Sequence, residues 1–171
     1  MSDMSLQDRL LRQLESTRQL SEKLLADFHD PTDWLYQVHP GCNHALWFVG
    51  HMATTDNFLL SLVAPAVSTP QESLRAQFGM GSQPTSIAAD YPPAEEVLAT
   101  MRERRARLME TLSSFSDADL AQPTPAGTPD FLPDFASVFE MANWHEMLHA
   151  GQLTVTRRAL GHQPMMGAQP T

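Results

Sequence analysis

With 171 residues, 42% of them hydrophobic and 18% charged, the chain suits one domain spanning 1–171 with a proper core, and its composition excludes a disordered or fibrous polypeptide. The formal charge of −9, with basic residues dispersed except for a group at 102–107 interleaved with Glu103, leaves no concentrated basic footprint of the kind nucleic-acid binding requires. A single cysteine, Cys42, excludes an internal disulfide framework. The polar N-terminus is wrong for a signal peptide, and the longest apolar stretch, 58–67, is interrupted by Ser61 and Pro65 at about half the length of a membrane span, so the expected location is cytoplasmic.

Residues 5–28 carry Leu10, Leu14, Leu24, Leu25 and Phe28 at helical spacings with charged residues between them, which predicts an amphipathic helix. The Asp30-Pro31 and His39-Pro40-Gly41 steps break the pattern. Asn43 then offers an N-cap for a second helix over 44–63, which Pro65 ends. From 64 to 93, five prolines and two glycines leave room only for a short helix near 71–78. So long a crossover suits the joining of two parallel neighbours or the roofing of a site.

A third helix is expected from Pro93 or Ala94 to about 115, with Glu95 and Glu96 at the positive end of its dipole. A Pro-rich loop at 122–133 precedes a fourth helix over 135–160, which Gly161 stops after Arg157 and Arg158. The segment 162–171 reads as a mobile tail. No run alternates like a half-buried strand, so the expected class is all-α, a four-helix bundle with two long connections.

The fourth segment contains Asn143-Trp144-His145-Glu146-Met147-Leu148-His149. Four residues advance a helix by about 400°, which sets the two imidazoles on one face, roughly 6 Å apart along the axis, suitable for two ligands of one ion. Met141, Leu148 and Gln152 share that stripe, so the histidines are expected to point inward. The alternative is a pair of core histidines, each with its own hydrogen-bond partner. The letters also spell H-E-x-x-H, which invites a metalloprotease reading with Glu146 as base. No Asp or Glu follows Glu146, however, and Gln152 and Val155 occupy the glycine and third-histidine positions of the extended motif, so a protease is disfavoured. Glu146, about 100° around the helix from His145, could equally serve on a partly exposed flank.

A third arm is available in His51, which follows Gly50 in an apolar run. The glycine would let a neighbouring helix approach closely. His44 lies seven residues earlier, about 10.5 Å along the axis, too far to share an ion with His51, and stays a pocket candidate. Trp47 could wall a pocket, and Asn43 and Gln152 could orient a substrate or fix a ring tautomer, although packing or capping would explain all three.

The segment from Asn43 to His51 followed by Asp56, together with His145-x-x-x-His149-x-Gly151-Gln152 and Arg157-Arg158-x-Leu160-Gly161, resembles the DinB-like superfamily over essentially the whole chain. The resemblance implies a four-helix bundle, often a homodimer, with one divalent metal on the residues matching His51, His145 and His149. It also implies thiol-dependent transferases or isomerases that use mycothiol, bacillithiol or glutathione, beside members without an assigned activity. Three imidazoles suit zinc or nickel first, then iron or copper, and leave an open position, so the expected partner is a small molecule such as a low-molecular-weight thiol. The expectation is therefore a metal-dependent thiol transferase or small-substrate hydrolase, or else a non-catalytic metal or ligand binder.

Overall fold

A computed structural model describes residues 4–165. Every regular element among these is a helix. The six α-helices are α1 (Leu6–Leu25), α2 (Ala45–Val63), α3 (Glu72–Phe78), α4 (Ala94–Ser113), α5 (Asp117–Leu120) and α6 (Phe135–Ala159). The one β feature is an isolated bridge between Pro123 and Asp134. None of the described helices is long and apolar enough to cross a membrane.

Local chemistry sets the ends of the long helices. Ser5 caps α1 by accepting from the Asp8 N–H, and Asp134 and Ser137 form a reciprocal capping box at the start of α6. At the other end of α6, Gly161 adopts φ +92°, and the His162 N–H reaches back to the Arg157 carbonyl. That closure needs a left-handed residue, which glycine supplies without a Cβ clash.

Four helices are long, and they pack side by side: α2 against α4 and α6, and α1 against α6 and, less extensively, α4. Two apolar clusters give their directions. Leu24 and Leu25, Val49 and Met52, Val97 and Met101, and Ala150 and Leu153 meet in one. Leu10 and Leu14, Leu59 and Leu60, Leu108 and Leu112, and Val138 and Phe139 meet in the other. Hence α2 and α4 run parallel, joined by the 64–93 crossover, the first of the two roles its length suggested, while α1 and α6 run opposite to them.

Several expectations are corrected. The long connections number three, because 26–44 holds only a 3-10 turn at Asp33–Leu35. Its Pro31, Pro40 and Gly41 prevent anything longer. The one-turn α5 is too short for any periodicity to announce, although Ser116 and Asp119 cap it. Helix α2 starts at Ala45, and its N-cap is His44 rather than Asn43: His44 Nδ1 accepts from the Trp47 N–H at 2.9 Å. The start of the supposed tail is packed, with the His162 ring 6.3 Å from Phe28, while residues 166–171 lie outside the described residues.

Candidate metal centre

The crossover that follows α2 folds back over it and builds one wall of the site. A Cβ placed on Gly50 would lie 2.2 Å from the Phe78 ring, so α3 can seat that ring only on a bare backbone. The seating brings the Phe78 carbonyl to His51 Nδ1 at 2.7 Å. A carbonyl only accepts, so Nδ1 carries the hydrogen and Nε2 keeps its lone pair. Further along, Ser82 Oγ accepts from Trp47 Nε1 at 2.8 Å, pinning the indole where it stacks on the His51 ring at 4.3 Å.

Helix α6 supplies the opposite wall. The ring centroids of His51, His145 and His149 lie 4.6 to 5.1 Å apart in pairs, and one ligand nitrogen from each falls within 4.8 Å of the others. His149 Nδ1 meets Gln152 Oε1 at 3.1 Å, and the same oxygen accepts from Asn43 Nδ2. The Gln152 oxygen is thus an acceptor for both, so His149 Nδ1 donates and its Nε2 is free. Asn43 and Gln152 therefore come together as a relay behind His149. His145 Nδ1 is buried without a hydrogen-bond partner.

Electrostatics suits a cation. Burial pushes His51 and His145 down to about 4, and it lowers His149 as well, so the three rings are neutral at neutral pH with lone pairs available. Nitrogen ligands of one ion stand at most about 4.2 Å apart, so small ring movements close the set. Three neutral imidazoles, two with tautomers fixed by outer partners and one with an unpartnered nitrogen, could hold a metal ion.

His44 stands apart from this cluster. Its Nδ1 is consumed by the helix cap, its ring meets Tyr91 edge-on at 5.2 Å, and burial lowers it to about 4. It is not one of the three converging rings, but it lines the same small recess as Asn43, Trp47, His149 and Gln152.

Glu146 requires the largest correction. Its exposure is 0%, not that of a flank, and its carboxylate lies between two arginines. Arg18 binds it through Nε at 2.9 Å, and Arg105 through Nη2 at 2.7 Å. Asp56 takes the other sides of both guanidiniums, with Arg105 at 2.9 and 3.0 Å and Arg18 at 3.2 Å. Spare donors reach the Met101 and Leu14 carbonyls. Burial opposes the Glu146 charge, but the arginines outweigh it and lower the pKa. A carboxylate committed in this way is not free to serve as the base of an H-E-x-x-H protease. The inward stripe of α6 is likewise Val138, Ala142, Glu146 and Leu153, while Leu148 is 58% exposed and Gln152 is exposed too. His145 and His149 sit on the border of that stripe, open toward α2.

The DinB superfamily pattern matches residues 13–153, which include all three histidines and all four charges of the ion cluster. The chain belongs to the DinB superfamily. No curated protein matches it. In this DinB chain the residues that sequence reasoning missed are Phe78 and Ser82, which hold His51 and Trp47, and the partners of Glu146. For the latter a signal existed: Arg18 follows Leu14 by four, and Arg105 follows Met101 by four, so both cations stand on apolar stripes. For Phe78 and Ser82 there was none, because a crossover carries no period.

Proposed function

We propose that this DinB chain binds one divalent metal, zinc or nickel in the first instance, through His51, His145 and His149, and uses it to activate a small molecule. The supporting observation is the set of three neutral imidazoles from two helices, two of them with an outer hydrogen bond that leaves Nε2 bare. The four long helices serve as a four-helix bundle that fixes the ligands. A divalent ion held by three ligands would have an open position and would lower the pKa of a thiol or water brought to it.

Among the described residues the cluster contains no carboxylate, and Glu146 is spent on Arg18 and Arg105. That favours a substrate that gives up its proton without a strong base. A low-molecular-weight thiol loses its proton far more readily than water does, so thiol transfer to an electrophile is the better-supported reaction and hydrolysis the second. Trp47, held by Ser82, supplies an apolar wall for the incoming molecule. We further propose that the protein works in the cytoplasm, where such a thiol stays reduced, and as a homodimer.

The test is metal stoichiometry after dialysis, for wild type and for His51→Ala, His145→Ala and His149→Ala, joined to a thiol-consumption assay with a model electrophile. The expected result is about one ion per chain in wild type, at least tenfold weaker binding in each variant, and thiol consumption only when metal is bound. Full occupancy in His51→Ala would reject the triad. Metal binding without any thiol consumption or hydrolysis would leave a non-catalytic metal binder.

A further inference from the structure

Helix α6 has an outer face that nothing among the described residues covers. Glu140, Trp144, Leu148, Gly151, Val155 and Arg158 are all exposed and follow one another at spacings of 4, 4, 3, 4 and 3, which keeps them on a single stripe. Trp144, Leu148 and Val155 are 48%, 58% and 55% exposed, and the exposed Phe131 ring leans edge-on against Trp144 at 6.4 Å. The inner four members have the alternating 4 and 3 spacing of a helix-pairing seam. Between Glu140 and Arg158 the helix carries only two other charges, Glu146 and Arg157, and both are buried. For a chain of net charge −9, an uncharged outer strip of about 27 Å is unusual.

Gly151 adds an independent observation. It stands in the middle of the longest helix, where glycine is worse than alanine, yet a Cβ built on it would meet nothing. Nothing among the described residues accounts for a bare backbone there. A helix approaching from outside would, because it can come closest where the side chain is missing.

We propose that a second copy of this chain packs its α6 antiparallel against this stripe, about a two-fold axis between Leu148 and Gly151. The charges select that occupant and that direction. The stripe ends in Glu140 on one side and Arg158 on the other, at matched distances from its centre. An antiparallel, isologous pairing therefore sets Glu140 of each copy beside the partner's Arg158, twice per dimer, with Trp144, Leu148, Gly151 and Val155 buried between. A parallel pairing would set like charges together. The surface also borders the metal centre, since the Trp144 ring is 6.0 Å from His145, and the recess at Trp47, His149 and Gln152 measures only about 10 Å³. The docked copy would supply the wall that this shallow side lacks.

The inference rests on the homodimer reading above and names its interface. The experiment is sedimentation velocity on the full chain across a hundredfold concentration range, with circular dichroism to establish that each variant is folded. Wild type is expected to be dimeric. Gly151→Leu, whose side chain enters open space in the single chain, should weaken association at least tenfold. Glu140→Arg and Arg158→Glu should each weaken it, the double variant should restore it, and an equimolar mixture of the two single variants should form heterodimers. A dimer indifferent to all of these variants would overturn the α6 seam while leaving the homodimer standing. A monomer at every concentration would overturn both and leave the metal reading, which is measured separately by metal content. Rescue failing in the double variant while Gly151→Leu dissociates the dimer would overturn the antiparallel direction.

Discussion

Glu146 lies between the two histidines of an H-E-x-x-H sequence, but one residue is 100° of helix, and that turn carries it from the metal side to the interior. There it faces two buried guanidiniums, and Arg105 is raised because Asp56 and Glu146 outweigh the burial that opposes its charge. Such a cluster is weak evidence of net stabilisation, but removing one member strands the rest. Glu146→Gln should therefore lower the unfolding free energy by about 3–5 kcal/mol in urea titrations, while metal content per folded molecule stays near that of wild type. A variant with unchanged stability and lost thiol consumption would instead place Glu146 in the chemistry. The sequence told the 3.6-residue geometry of this stretch correctly. It did not tell which side of the histidines was the inside, since Leu148 and Met141 looked as apolar as Val138 and Ala142.

At the scale of elements, α3 and the crossover act on the site through contacts with α2. The Phe78 ring rests on Gly50 and the Phe78 carbonyl fixes His51, so backbone clearance and ring tautomer are coupled. Gly50→Ala should destabilise the protein by about 1–3 kcal/mol through overpacking, even though alanine is the better helix former, and should weaken metal binding because the Phe78 carbonyl is displaced from His51. In a Phe78→Ala background the same change should be nearly neutral or stabilising, since the obstructing ring is gone. Equal effects in both backgrounds, read from urea midpoints, would sink the idea. Gly50 was legible as a point of close approach. The approaching group was not, because a helix was expected there and a ring from a seven-residue helix arrived.

Across the whole molecule, the ion cluster forms a waist. Each long helix contributes one charge, Arg18, Asp56, Arg105 or Glu146, and on each helix that residue falls between the members of the two apolar clusters. The metal centre lies on the side of the waist that holds Trp47, Phe78 and Ala150. The buried neutral histidines make that half sensitive to acid. His44, His51 and His145 are held near 4 in the folded chain against 6.5 in the unfolded one. As pH falls below 6.5 the unfolded state takes up protons that the folded state does not, so stability is full above 6.5 and is lost as pH falls toward about 4. In chelator-treated protein the urea midpoint should be flat above 6.5 and decline through that window. His44→Asn, which retains a capping side chain but cannot titrate, should decline less steeply. A midpoint constant from 6.5 to 5 would reject the account, since the carboxylates titrate mainly below that range.

The sequence by itself determined the helical class, the long helices to within a few residues, a long crossover between α2 and α4, and the three histidines as a set worth joining. All of these but the choice of His51 are local: periodicity, caps, prolines and an i, i+4 spacing are written in neighbouring residues. Only the tertiary structure decided that the set converges, with ligand nitrogens within 4.8 Å, that the Phe78 carbonyl orients His51 and Asn43 meets Gln152 behind His149, and that Glu146 belongs to Arg18 and Arg105. Each of these depends on residues far apart in the chain, and the side of a helix that becomes interior is set by what packs against it, which no short window of sequence contains.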